Sequence, residues 1–314
     1  MRIHQISDLS FDHILNNKYD LAVFGSGYEA RCTYIPKQIQ PLNVSQTAVL
    51  GFKELPDSDA RKQHDDYFRS YWHTEPIVTS ASDDFLIQQI LTSRENAKPV
   101  YKILVDFSSM SRHWYSGILN WARYGSNCNE IIVDFVYALG KYEEQDLPMI
   151  IEEMLSIPGC EGGATSSRNS VAIFGLGFNG WASLSVLERL EADEVFAFIA
   201  APGSSPEYPD RVRKLNDDFL NEPRVKKHVL ELPLRSIENC YRFLCELVAP
   251  HYLNDAVTLV PMGPKPHILA SILVAMRFPE ISCMRVSMTR QRPEKVEPTG
   301  EIIAVRVIVR KGNE

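Results

Sequence analysis

The sequence predicts an α/β protein built from two tandem units, each with a mainly parallel sheet. Three observations carry this. Apolar runs of strand length alternate with helical patterns, as expected for parallel strands buried on both faces. The stretch Val171 to Gly180 (VAIFGLGFNG), a strand, a glycine turn and a helix start, recurs 150 residues earlier as Leu21 to Ala30 (LAVFGSGYEA). Further matches follow in the same order. His64 to Phe68 answers Asn216 to Leu220 at an offset of 152, with Arg61 and Arg213 at equivalent places upstream, and Lys102 to Val105 answers Val257 to Val260 at 155. An ordered set at a nearly constant offset points to a tandem duplication.

Taken in order, residues 1–19 form a leading segment with Phe11, Ile14 and Leu15 at helical spacing. Apolar runs place strands at 20–24, 47–52, 102–107 and 131–138. A helix-like run follows the Gly25-Ser26-Gly27 turn. Ser82-Asp83-Asp84 supplies N-cap and first-turn chemistry for a second helix, and Trp114, Ile118, Leu119, Trp121 and Ala122 mark a third. Residues 147–155 read as a helix joining the halves, and 158–169, with three glycines, as a linker. The second half places strands at 171–174, 195–200 and 257–260, and helices near 180–190, 210–221, 236–248 and 267–277. Strand-like runs at 283–289 and 301–310, separated by Pro293, Pro298 and Gly300, predict a C-terminal antiparallel hairpin closing the second sheet. The expected division is 1–157, a linker at 158–169, and 170–314: two Rossmann-like units forming an internal pseudo-dimer.

Bulk properties narrow the partners. A length of 314 residues suits two domains, and a net charge of −7 with a pI near 5.7 supplies no global basic field, so long nucleic acid is not expected. There is no run of 18 apolar residues, and the N-terminus lacks the basic-then-apolar signal pattern, so a cytoplasmic protein without membrane contact is expected. The six cysteines (32, 128, 160, 240, 245, 283) contain no Cys-x-x-Cys, and the eight histidines no His-Glu-x-x-His, so no metal site is expected.

Ligands of open parallel sheets bind outside the carboxyl ends of the strands, where strand order reverses. Both glycine turns lie at such ends, making Gly25, Ser26, Gly27 and Tyr28 in one half, and Gly175, Gly177 and Phe178 in the other, candidate ligand-binding residues. Gly175-x-Gly177-x-x-Gly180 has dinucleotide spacing, but the next strand ends in Ile199-Ala200-Ala201 without the acidic residue that takes ribose hydroxyls. The first half offers Glu54 there, yet its fingerprint ends in Ala30. NAD(P) is therefore disfavoured as cofactor. The competing account is that the glycines only permit tight helix–strand packing.

The second candidate is the corner Asp106, Ser108, Ser109, Ser111 and Arg112. Hydroxyls, backbone N–H groups and a guanidinium hold a phosphate or ribose; the same residues also suit a helix start capped by Ser108 or Ser109. The equivalent corner, Gly263-Pro264-Lys265-Pro266-His267, again presents a cation, Lys265, and two such corners on a shared cleft could grip several phosphates. A third candidate is the carboxylate set Asp57, Asp59, Asp65 and Asp66 with Arg61 and His64, matched by Glu207, Asp210, Asp217 and Asp218. It offers general acid–base chemistry or merely a solvated face with i,i+4 ion pairs. The aromatic run Tyr67 to His73 either stacks a base or packs half-buried. No nucleophile elbow, P-loop or Cys/His pairing is evident.

Asp106-x-Ser108-x-x-Ser111-Arg112 resembles the Asp-x-Thr-Gly-Gly-Thr-Lys corner of CRISPR-associated Rossmann-fold (CARF) sensor domains, with Ser109 and Met110 in place of the two glycines. A fused pair of such units is similar to the SAVED sensors of bacterial antiviral systems. The resemblance implies recognition of a cyclic nucleotide or oligonucleotide messenger in the cleft between the units, without metal. The expected function is binding or sensing of a nucleotide-type phosphorylated ligand, with a separate effector protein as partner. The alternative is an enzyme acting on or with a nucleotide: an NAD(P)-dependent oxidoreductase, a glycosyl-transferring enzyme or a nucleotide hydrolase. The missing acidic partner and the absent catalytic motif favour binding.

Overall fold

The computed structural model describes residues 1–54, 58–96, 98–141, 151–163, 169–226, 228–288 and 296–311. The chain divides into two compact units, unit 1 from Met1–Glu143 with Arg292–Glu314, and unit 2 from Glu144–Gln291. Unit 1 opens with β1 (Arg2–Leu9), α1 (Phe11–Leu15), β2 (Tyr19–Ser26) and β3 (Val44–Phe52). It continues through α2 (Asp59–Tyr71), β4 (Ile77–Thr79), α3 (Asp84–Arg94), β5 (Val100–Asp106), α4 (Arg112–Asn120) and β6 (Glu130–Gly140). Unit 2 holds β7 (Ile151–Ser156), β8 (Ser170–Gly175), α5 (Gly180–Leu190), β9 (Glu194–Ala200), α6 (Tyr208–Leu215) and α7 (Asp217–Leu220). It ends with β10 (Leu230–Leu232), α8 (Ile237–Val248), β11 (Ala256–Pro261), α9 (Lys265–Arg277) and β12 (Ser282–Met288). The chain then returns to unit 1 as β13 (Pro298–Arg310).

Both sheets are mainly parallel. Among the described residues, unit 1 has the order β1-β13-β6-β5-β2-β3-β4 and unit 2 the order β10-β9-β8-β11-β12-β7. From β6 to β4 and from β10 to β12 every neighbouring pair is parallel. Each unit thus adds two strands on one side of its first parallel strand and then crosses to the other side, so order reverses between β2 and β5 and between β8 and β11. Those two points are where crevices open in such sheets. Ring packing behind the first strand recurs as well, with Phe24 against Phe68 at 5.9 Å and Phe174 against Phe219 at 4.9 Å between centroids. In unit 2 the sheet is covered by α9, whose residues 266–276 are all buried, as an apolar helix without a polar face requires.

Several expectations are corrected. The C-terminal strands are antiparallel to their neighbours but not to each other: β12 pairs with β7, whereas β13 lies between β6 and β1 in the other sheet. Two strand-like runs separated by Pro and Gly resemble a hairpin locally. The alternation-free run Ile302 to Val309 instead needs cover on both faces and a strand on each edge, which the interior position beside β6 supplies. The 170–314 unit is correspondingly interrupted, and unit 2 is nested in the connection between β6 and β13. The segment expected as a helix at 147–155 is strand β7 from Ile151, and its residues 147–150, like 164–168 of the expected linker and Thr289 and Pro293 of the expected hairpin, lie outside the described residues. After Gly27 the chain forms a 3-10 turn, Ala30–Thr33, in place of the expected helix, since Pro36 and Pro41 follow and supply no N–H donors. Short strands β4 and β10 were not evident from pattern at three residues each.

One polar pair fixes β13. Arg306 sits directly opposite Asp134 in the β13–β6 register and donates twice to its carboxylate, at 2.7 Å from Nε and from Nη2. Tyr19 on β2 donates a third bond to the same carboxylate at 2.9 Å, and Asp134 is 0% exposed. A one-residue slip would bury the guanidinium without this partner. Arg306→Ala removes the cation bonded to the buried Asp134 carboxylate and leaves it only the Tyr19 hydroxyl, so it should destabilise unit 1 by about 3–5 kcal/mol in urea unfolding, while replacing both residues by leucine should restore most of that loss. Equal instability of single and double variants would refute this account.

Candidate functional site

In unit 1 the reversal point is formed by the turn after β2 and the corner after β5. Gly25 lies under that corner: a Cβ there would stand 3.3 Å from Met110 Cγ. Ser26 is buried and donates to Asp65 Oδ1 at 2.5 Å; the same oxygen accepts from Arg61 Nε at 2.8 Å, while Arg61 Nη1 donates to the Phe52 carbonyl. His64 on α2 holds the Gly27 carbonyl through Nδ1 at 2.8 Å. Because a carbonyl only accepts, Nδ1 carries the proton, and burial lowers the imidazole pKa, so the ring is neutral at pH 7 with its second nitrogen unprotonated. Gly27 has no positive φ; its missing Cβ would face Phe52 at 3.5 Å and Ser109 Cβ at 3.8 Å, which is ordinary contact.

The corner after β5 splits into committed and uncommitted groups. Ser108 Oγ donates to Asp106 Oδ1 at 2.5 Å and accepts from Ala138 N, tying the corner to β6. Ser111, not Ser108 or Ser109, caps α4: its hydroxyl accepts from Trp114 N and donates to Ala81 O. Ser109 differs from both. It is 7% exposed and, among the described residues, its hydroxyl has no hydrogen-bond partner. Arg112 is the first residue of α4, and Tyr28 is half-buried beyond Gly27. Beneath the corner, Trp114 is fully buried and stacks on Phe52 at 4.3 Å.

Sequence reasoning missed Arg31. It follows the turn directly, is buried, pairs with Glu29 at 2.6 Å and donates to the Tyr137 hydroxyl at 2.8 Å on β6. The one available signal was a charged pair, Glu29 and Arg31, immediately after a glycine turn. Of the carboxylate set, Asp59 and Asp66 are exposed, Asp57 lies outside the described residues, and Asp65 alone reaches the site. Glu207, Asp210, Asp217 and Asp218 are all exposed, which makes them the solvated face. In the aromatic run, Phe68 and Trp72 are buried against Phe24, so packing explains them. Glu54 accepts from Ser80 Oγ and Ala81 N at 3.4 Å.

The reversal point of unit 2 is closed by its own chain. A Cβ on Gly175 would stand 2.6 Å from Phe198, on Gly177 2.5 Å from Met262 O, on Gly180 1.7 Å from Leu215 O and on Gly263 2.9 Å from Leu176 O. None of these glycines has a positive φ. Gly177, Gly180 and Gly263 permit close backbone approach, and Gly175 admits the Phe198 ring. Asn216, which answers His64, donates to Gly177 O at 2.8 Å, repeating the His64 to Gly27 bond with an amide that does not titrate. Phe178 packs on Tyr208 at 4.7 Å, and Lys265 is the half-buried first residue of α9. An open depression of about 490 Å³ lies off the ends of β9 and β10, lined by residues 201–206 with Pro209, Glu231 and Arg235. No described group of three or more His, Cys, Asp or Glu side chains is placed to hold a metal ion, and no described helix is long and apolar enough to cross a membrane. The sequence matches no known family model and no curated protein.

Two stability predictions follow from these corners. Gly180→Ala forces α5 away from the Leu215 backbone and should cost about 1–3 kcal/mol or more, whereas Gly27→Ala should stay within about 0.5 kcal/mol; denaturant midpoints distinguish them. His267, buried against Phe198 and bonded to Pro233 O at 3.3 Å, has its pKa pushed down to about 4 by burial. Its neutral form contributes stability above pH 6.5 that is lost as pH falls towards 4, on the order of 3 kcal/mol. His267→Gln should flatten that part of the pH profile of unit 2 unfolding; an unchanged slope would show that the histidine is not responsible.

Proposed function

We propose that the chain binds a nucleotide-type phosphorylated ligand at the carboxyl ends of the unit 1 strands, between the Gly25–Tyr28 turn and the Asp106–Arg112 corner. The observation that carries this reading is the buried, unpartnered hydroxyl of Ser109, two residues before the cap of α4, whose Cβ lies 3.8 Å from the Cβ position of Gly27. An unsatisfied buried hydroxyl costs about 1–3 kcal/mol, a cost that an arriving anion would offset. The adjoining helix start and the Arg112 guanidinium suit a phosphoryl group. Phe52, whose ring lies over Gly27, suits stacking on a base. The likeness of this corner to those of nucleotide sensors supports the same ligand class and a sensing role exerted through a separate effector.

Binding is favoured over turnover because the carboxylates that acid–base chemistry would use are occupied. Asp65 accepts from Ser26 and Arg61, and Asp66 pairs with Arg69 at 2.9 Å on the exposed face of α2. Calorimetric titration with ADP, cyclic AMP, cyclic di-AMP and NAD tests the reading. At least one should bind with salt-dependent affinity, and Arg112→Ala should weaken it by roughly ten- to a hundredfold with the fold intact. Absence of binding by all four, or an Arg112→Ala protein that binds as wild type, would reject it.

A further inference from the structure

We infer that the chain carries one phosphate-binding reversal point and not two: unit 1 holds the ligand through Ser109, and the corresponding corner of unit 2 is a sealed structural copy in which Lys265 takes no part. This rests on the proposed function and narrows it. Three independent differences between the units lead here.

The first is space. At the unit 2 point the two turns interlock through backbone: Met262 N donates to Gly175 O at 2.8 Å, and the Met262 carbonyl occupies the position a Cβ on Gly177 would take. Backbone is not displaced by a side-chain rotation. At the unit 1 point no backbone atom stands among the nearest neighbours of Gly27: it meets the Phe52 ring, which can turn aside, and Ser109 Cβ at an ordinary contact distance of 3.8 Å.

The second is donors. An anion at a helix start is held by the first backbone N–H groups. In α9 the cap residue Pro264 and the second residue Pro266 have none, and the N–H groups of His267 and Ile268 are bonded to Pro264 O at 3.0 and 3.2 Å. The α4 start contains no proline, and its neighbouring Ser109 hydroxyl is an additional unused donor. The third is charge. Arg31, Arg61 and Asp106 are buried around the unit 1 strand ends, while among the described residues of unit 2 no Asp, Glu, Lys or Arg is buried. Buried charges are costly and concentrate where a site must be electrostatically shaped.

Titration calorimetry with ADP and with cyclic di-AMP on the full chain tests the inference, using wild type, Ser109→Ala and Lys265→Ala. The expected result is a stoichiometry of one per chain, a loss of affinity of roughly tenfold or more in Ser109→Ala, and wild-type affinity in Lys265→Ala. Because Ser109 Oγ is buried and makes no internal bond, its removal relieves a desolvation cost and should raise, or at least not lower, the thermal midpoint, which separates lost binding from lost folding. Two equivalent sites per chain, or a Lys265→Ala defect as large as that of Ser109→Ala, would overturn the single-site inference while leaving nucleotide binding standing. No heat on wild type with either of these, nor with cyclic AMP or NAD, would overturn both.

Discussion

The carbonyl of the second glycine in each strand-end turn is the constraint around which both units are arranged. Where strand order reverses, the chain leaves the sheet on one side while its neighbour leaves on the other, so backbone groups there lose their ladder partners and need replacements. A side chain from the helical segment after the second parallel strand supplies one, His64 for Gly27 and Asn216 for Gly177. That single bond fixes how closely the segment approaches the turn. Its approach then decides which residues line the crevice: in unit 1 it brings Arg61 and Asp65 inward, and in unit 2 it brings Leu215 against Gly180.

Different packing around the same frame yields different corners. In unit 2, Gly177, Gly180 and Gly263 bring backbone onto backbone, and the Phe198 ring fills the place beside Gly175. In unit 1 Gly25 admits Met110 while Gly27 meets only side-chain atoms, and the hydrogen-bonded Ser26, Asp65 and His64 gather beside the turn. The buried Arg31–Glu29 pair and its bond to Tyr137 hold the 3-10 turn against β6, so the first turn, the second corner and the strand beyond them are joined by polar contacts rather than by apolar packing alone.

Much of the parallel frame was legible in the sequence, since apolar strand runs, glycine turns and capped helices are local signals. Val171 to Phe174 and Lys102 to Val105 read as strands because their neighbours along the chain say so. The position of β13 was not legible: Arg306 gains its meaning from Asp134, 172 residues away, and no local pattern reports that register. The site was legible as a place but not as a mechanism of holding it. Gly177 and Gly27 look alike in sequence, and only the Met262 carbonyl at one and the Ser109 side chain at the other set them apart. Arg61 read as part of a solvated helix face because an i,i+4 pair with Asp65 is what such faces contain; its burial depends on the distant Ser26 and Phe52.

The nested connectivity has a consequence for how this chain assembles as it is made. Strand β6 emerges long before its partner β13, so one edge of a highly apolar strand stays unpaired until unit 2 has been synthesised. Unit 2 itself shortens that wait: β7 and β12 are paired, with Ile151 opposite Met288, so once it folds the two chain ends leaving it are adjacent. A connection of more than a hundred residues then behaves like a short loop. With loop closure costing about 0.6 kcal/mol per doubling of length, an earlier-folded unit 2 lowers the entropic cost of docking β13 by on the order of 2 kcal/mol. The inserted unit, once folded, therefore acts on its host only by shortening the closure that β13 must make.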